Sequence, residues 1–272
     1  MLDLNIQNEY NSLKSVFISN RQNPDMQGFI RALKDLGIKV FLGGKTPTTQ
    51  IYWPFLRDPF ITVDKLFMIG GIDDDGPITT RPFDLLHIGM DIMDHLEEDQ
   101  VNGDVLTNQE NGIPIVLEGG DVIIHNGTIY VGQGGQFTNK YGFGMMEALF
   151  SNKFDVKPIF MEPREHITHL DCVFNPISAD TAIVHLDSIM PISRGTLKRD
   201  FAKLIELTKP EQKALACNVL SIGNKQLFVE QKQERLINTL KKLSFKPIPT
   251  KFDMPIQIGG SFRCATVPLE RE

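Results

Sequence analysis

The chain has 272 residues, a formal net charge of -6 and a pI of about 5.6. Its 41% hydrophobic and 23% charged residues suit one large core or two small ones and argue against disorder. With no basic run and no apolar stretch near the roughly 18 residues of a membrane span, nucleic acid and membrane are not expected partners, and a small cation suits the charge better.

Taken in chain order, β-runs joined by turns recur. Ser15 to Ser19 is the first run. Asn23-Pro24-Asp25 then predicts a helix start, with Met26, Phe29, Ile30, Leu33 and Leu36 at helical spacing and Gly37 as the stop. A short strand is expected over Ile38 to Leu42. Pro59 to Val63 and Leu66 to Ile69 flank Asp64-Lys65 as a hairpin, and 84–97 is a candidate helix. After a short strand from Ile113 to Leu117, Asp121 to His125 and Thr128 to Val131 flank Asn126-Gly127, a pair that favours the tightest hairpin turn. A helix is expected over 140–150, then a hairpin of Asp171 to Phe174 with Ala182 to Leu186. Leu197, Phe201, Leu204 and Ile205 predict another helix. Val219 to Ile222 with Gln226 to Val229 make a fourth hairpin, and Leu236, Ile237, Leu240 and Leu243 a further helix. Phe262 to Val267 is left to pair with Ser15 to Ser19.

The steps from Asp58 to Asp121, Asp171, Cys217 and Cys264 are 63, 50, 46 and 47 residues. A near-constant unit of hairpin, helix and strand predicts one radial or stacked repeat architecture over residues 1–272 rather than two domains. Pairing of the two ends would close the ring and leave no unpaired edge.

Three cysteines, Cys172, Cys217 and Cys264, are too few and too scattered for a disulfide framework or a zinc site, and the first residues lack the pattern of a secretion signal, so a cytoplasmic protein is expected. Cys172 and Cys217 fit packing positions. Cys264 follows Gly259-Gly-Ser-Phe-Arg263, where glycines admit a ligand and Arg263 could favour the thiolate, the nucleophilic form. A lone cysteine is more commonly a small core residue. Glu118-Gly-Gly-Asp121 sets carboxylates around a glycine pair, and Arg57-Asp58-Pro59 is a turn trio. His-Leu-Asp occurs at His169 and again at His185, where strand periodicity would place His and Asp on one face. His166 and His169 lack accompanying ligands, so no metal is expected.

In this order the motifs at Asp58, Glu118, His169 and Cys264 resemble the guanidine-modifying enzymes that include arginine deiminase, dimethylarginine dimethylaminohydrolase and the amidinotransferases, the pentein superfamily. The resemblance runs over nearly the whole chain. It implies a five-bladed, pseudo-fivefold α/β propeller with Cys264 as nucleophile, His169 as general acid/base and Glu118 orienting His169. It also implies that Asp58 and Asp171 grip a guanidinium, with no metal or organic cofactor. Arginine-processing relatives place an arginine after the second hairpin to hold the substrate carboxylate. Here Gln136 stands there, with Arg81, Arg194 or Arg263 as substitutes. The expected activity is hydrolysis of a C–N bond of arginine or a related guanidine through an amidino-thioether. Amidinotransfer to an amine, arginine dihydrolysis and a silent scaffold are the alternatives.

Overall fold

The computed structural model describes residues 2–19, 23–43, 55–70, 92, 95–97, 100–102, 109–110, 113–163 and 167–272. Its main sheets have three strands each and share one plan, an antiparallel pair followed by a strand added in parallel. Phe60–Val63 and Leu66–Ile69 are joined by Val101–Asn102, and Val122–His125 and Thr128–Gln133 by Asp155–Phe160. Phe174–Pro176 and Thr181–Val184 are joined by Lys203–Glu206, and Leu220–Gly223 and Gln226–Glu230 by Lys246–Thr250. In the fifth sheet the pair is split between the chain's two ends. Thr266–Arg271 lies antiparallel to Leu13–Ser19 with Val16 opposite Pro268, and Lys39–Gly43 completes it in parallel. The architecture is the five-bladed α/β propeller.

Local chemistry accounts for the hairpins. Asn126 and Gly127 both take positive φ (44° and 74°) between partners His125 and Thr128, the two-residue turn whose twist matches the strands. Asn224 and Lys225 do the same at 52° and 61°. Helix Pro24–Asp35 starts where Asn23 Oδ1 accepts the Met26 N–H (2.8 Å) and buries Met26, Phe29, Ile30 and Leu33. The Phe29 ring packs edge-on against Phe228, Phe252 and Phe262, fixing the chain just ahead of Cys264.

Several boundaries differ from expectation. Leu204 and Ile205 are not helical: helix Pro191–Asp200 ends before Phe201, which is extended, and Leu204 pairs with Ala182 in the sheet. Their spacing from Leu197 and Phe201 matches a helix only by coincidence, because the chain passes from helix to strand between Leu197 and Leu204. Ile113–Pro114 pairs with Gln109–Glu110 and does not extend to Leu117, and Lys140–Phe150 is helical. The candidate helix over 84–97 falls mostly outside the described residues, as does His166.

The residues before each sheet's first strand form tight turns, and these turns are bonded to one another in a circle. Gly119 N–H donates to Asp58 O (2.9 Å) and Leu170 N–H to Asp121 Oδ1 (2.8 Å). Asn218 Nδ2 donates to Asp171 O (3.4 Å), Cys264 N–H to Asn218 Oδ1 (3.0 Å), and Arg57 N–H to Cys264 O (3.0 Å). That circle is the hub.

Away from the hub, His125 is buried among Tyr10, Tyr130 and Phe201, its ring 4.2 Å from that of Phe201. Burial pushes its pKa down to about 4, with Asp200 opposing and Lys157 assisting. The neutral ring is therefore a stabilising feature above the unfolded value near 6.5, and this contribution is lost as pH falls through 4. Urea midpoints of the wild type should decline from pH 6.5 toward 4 more steeply than those of His125→Gln. Parallel curves would show that His125 does not titrate with unfolding.

Candidate active site

The hub gathers polar residues that are hundreds of positions apart in the chain. Asp58, Glu118, His169, Asp171, Asn218 and Cys264 are all buried there. The glycines of Glu118-Gly-Gly-Asp121 make the gathering sterically possible. A Cβ on Gly119 would lie 2.1 Å from Arg57 O, and one on Gly120 would lie 2.6 Å from His169 Cγ. Any side chain at Gly120 would displace the imidazole.

His169 precedes a single 3-10 turn, Leu170–Cys172. The expected strand alternation is thus absent here, and His169 and Asp171 meet different partners. His169 Nε2 lies 2.5 Å from Glu118 Oε2, and Nδ1 lies 3.7 Å from Asp58 Oδ1. Burial opposes charge on the ring, but Asp58 and Glu118 outweigh it and hold His169 well above the ordinary imidazole value. His185, in the second His-Leu-Asp string, instead pairs through Nδ1 with Ser188 Oγ at 2.7 Å.

Cys264 sits in a turn just before Thr266–Arg271, not within the strand as expected. Its Sγ is 3.6 Å from Asp171 Oδ2 and accepts from Asn218 Nδ2 at 3.0 Å. Burial, then Asp171 and Asp58, push the thiol well above its usual pKa, so the resting group is a neutral thiol. Cys172 faces the other oxygen of Asp171 at 3.7 Å and is pushed up to about 12 by burial and Asp171. Cys217 donates to Ile183 O (3.5 Å) within an apolar cluster.

Arg263 departs from its expected part. It does not favour the thiolate by itself, nor does its guanidinium wait for a substrate carboxylate. Nη1 donates to Asp171 Oδ2 (2.8 Å), and Nη2 to Glu9 Oε1 (2.9 Å) and Val122 O (2.7 Å), in full burial. Its work is to hold Asp171. Glu9 in turn faces Arg263 and Arg57. Burial would raise its pKa, but the two guanidiniums bring it down to about 2. Of the other carboxylate anchors considered, Arg81 lies outside the described residues, Arg194 donates from Nε to Ile189 O (2.7 Å), and Gln136 is exposed.

Asp58, Glu118 and His169 place three ligand atoms within 4.8 Å of one another. The close Glu118–His169 bond and the Asp58–His169 pair already join these atoms, an arrangement suited to holding a proton on the ring. Two hub residues, Asn218 and Glu9, escape the sequence reading. Asn218 stands beside a counted position, Cys217, two residues ahead of the strand Leu220–Gly223. Glu9 lies in an N-terminal arm without any pattern.

Residues 3–271 match the model of the eukaryotic N,N dimethylarginine dimethylhydrolase family. The chain belongs to that family. A Bacillus subtilis relative known as the uncharacterized protein YkgA is 36% identical over 155 residues, 57% of this chain and 52% of that protein, so the chain spans about half the length of this curated relative. Among solved structures, the inosamine-phosphate amidinotransferase of Streptomyces griseus superposes with a TM-score of 0.79 at 13% identity, covering 100% of this chain and 97% of the other. A dimethylarginine dimethylaminohydrolase, solved as an adduct with 4-chloro-2-hydroxymethylpyridine, gives 0.73 at 16% identity over 94% and 99%. At such identities these structures establish the fold, and this family member is a pentein. No described helix is long and apolar enough to cross a membrane.

Proposed function

We propose that the chain is a cysteine-dependent hydrolase cleaving a C–N bond of arginine or a related guanidine through an amidino-thioether on Cys264. The observation that carries this reading is the placement of a thiol against a carboxylate (Cys264 Sγ to Asp171 Oδ2, 3.6 Å), with His169 held between Glu118 and Asp58 in the same hub.

Charge supplies the reason for a guanidinium. Buried Glu9, Asp58, Glu118, Asp121 and Asp171 face Arg57, Arg263, Arg271 and protonated His169, leaving one more negative than positive charge. A cation seated between Asp58 and Asp171 makes paired, charge-assisted hydrogen bonds and balances that excess. It also weakens the two carboxylate repulsions that, together with burial, keep Cys264 protonated, so the thiol proton leaves to water as the substrate arrives. Thiolate attack on the central carbon forms the C–S bond, and His169 protonates the departing amine as its C–N bond breaks. The neutral ring then takes a proton from water, whose hydroxide adds to the thioether carbon. The C–S bond breaks as the adduct's hydroxyl proton passes to sulfur, giving the ureido product and the Cys264 thiol.

Methylation tests the grip. A methyl group removes a donor and leaves a carboxylate partly unmatched in a dry site, a cost of roughly 1–3 kcal/mol. Arginine should exceed N,N-dimethylarginine in kcat/KM by about tenfold or more. With Gln136 in place of the arginine anchor, agmatine should be turned over as well. Faster turnover of the dimethylated substrate would mean that Asp171 does not contact the guanidinium. Product analysis with and without an added amine separates hydrolysis from amidino transfer, and ornithine as product would indicate a double hydrolysis.

A further inference from the structure

We propose that Asn218 is a catalytic residue whose single amide both aims the nucleophile and stabilises its thiolate. This assignment rests on the reading of Cys264 as nucleophile. Nδ2 donates to Cys264 Sγ over 3.0 Å, and Oδ1 accepts the Cys264 backbone N–H over 3.0 Å. The amide orientation is set by its other contacts. Oδ1 meets an N–H, which only donates, while Nδ2 also reaches Asp171 O (3.4 Å), which only accepts. Asn218 is itself buried, so water does not compete for these bonds.

The other charged and titratable groups about the sulfur pull the opposite way. Asp171 and Asp58 disfavour a negative charge there, as does the nearby Cys172. Arg263, the chain neighbour of Cys264, spends its Nη atoms on Asp171, Glu9 and Val122, and Arg57 meets Cys264 at the carbonyl oxygen while its guanidinium faces Glu9 and Thr266 O. Of the side chains in contact with Sγ among the described residues, the Asn218 amide is the N–H donor, and a backbone hydrogen bond from Ser261 acts in the same direction. A hydrogen bond to an ionised acceptor is about twice as strong as one between neutral groups, so this contact gains strength as the thiol loses its proton. It also closes a ring through Cys264 N, Cα, Cβ and Sγ, holding the side chain in one rotamer.

The test uses iodoacetamide, a neutral reagent that needs no guanidine site. Sγ forms a bond to its methylene carbon, iodide leaves, and the rate follows the thiolate fraction. At fixed alkaline pH, Asn218→Ala should slow modification of Cys264 about tenfold and move the pH–rate profile to higher pH. Asn218→Asp keeps the shape and the acceptor but sets a carboxylate oxygen against sulfur, and should be slower still. Wild-type profiles in both variants, with folding verified by thermal melting, would overturn the proposal. Should both variants unfold, the wild-type chain decides: an Asn218 side-chain amide proton is expected to move downfield as Cys264 ionises, and an unmoved resonance overturns the assignment. Shifted profiles without turnover of any guanidine would remove the hydrolase reading alone. Turnover with unmoved profiles would remove the role of Asn218 alone.

Discussion

Cys264→Ala should reduce guanidine turnover by roughly 10⁴-fold or more, the scale on which losing a covalent nucleophile acts. In the proposed reaction the thioether divides one difficult displacement into two easier ones, and no neighbouring sulfur is placed to replace Cys264. Cys172 sits across Asp171 with its thiol pushed up to about 12, and Cys217 is directed at Ile183 O among apolar side chains. Their alanine variants should turn over normally while losing about 1–2 kcal/mol of stability from small cavities. Intact-protein mass measurement with an alkylating amidine should find one adduct, mapped to Cys264. His169→Asn belongs to the same experiment, with an expected loss of ~10²–10⁴-fold against a nearly unaffected His185→Asn. An adduct on Cys172, or equal losses at both histidines, would dismantle the assignment.

The second large effect concerns stability. Arg263→Met should lower the free energy of unfolding by roughly 3–5 kcal/mol, because it strands Glu9 and Asp171 as buried carboxylates. Arg263→Lys should recover little of it, since an ammonium cannot span Asp171, Glu9 and Val122 O with a planar fork. Adding Glu9→Gln to Arg263→Met should return part of the loss by removing one stranded charge. Urea unfolding of the four chains measures all of this. A loss below about 1 kcal/mol for Arg263→Met would mean that solvent reaches these carboxylates.

The propeller was legible because its hairpins are marked by turn chemistry: Asn126-Gly127 and Asp64-Lys65 separate apolar runs, and the turn motifs recur at similar steps. Helix Pro24–Asp35 was legible from its Asn23 cap and its buried face. The turns ahead of the strands were not, because a single 3-10 turn such as Leu170–Cys172 is too short to leave a periodicity. That is why Cys264 and Asp171 were expected on strands. Leu204 and Ile205 were misplaced for the opposite reason, an apparent helical spacing that crosses an element boundary. Cys264, His169, Glu118, Asp58 and Asp171 were all singled out, and the hub brings them together. Arg263 is expected beside the thiolate or on a substrate carboxylate, because sequence adjacency to Cys264 does not say which way a guanidinium points. Glu9 had no signal at all, since its hydrogen-bonded partner Arg263 lies 254 residues away.

The ring closure described above has a kinetic consequence. Contacts joining Arg57 to Thr266, Thr62 to Pro268 and Glu9 to Arg263 span 209, 206 and 254 residues, so they form only after the intervening chain is ordered. The internal blades hold strands that are near in sequence and can assemble early, on the ribosome or during refolding, whereas the blade containing Cys264 must wait for its distant partner. A half-assembled chain thus presents folded sheets but no amide beside the sulfur and no Arg263 on Asp171. Native secondary structure should return before Cys264 reactivity does, because the contacts that surround its sulfur form only once the last blade has docked.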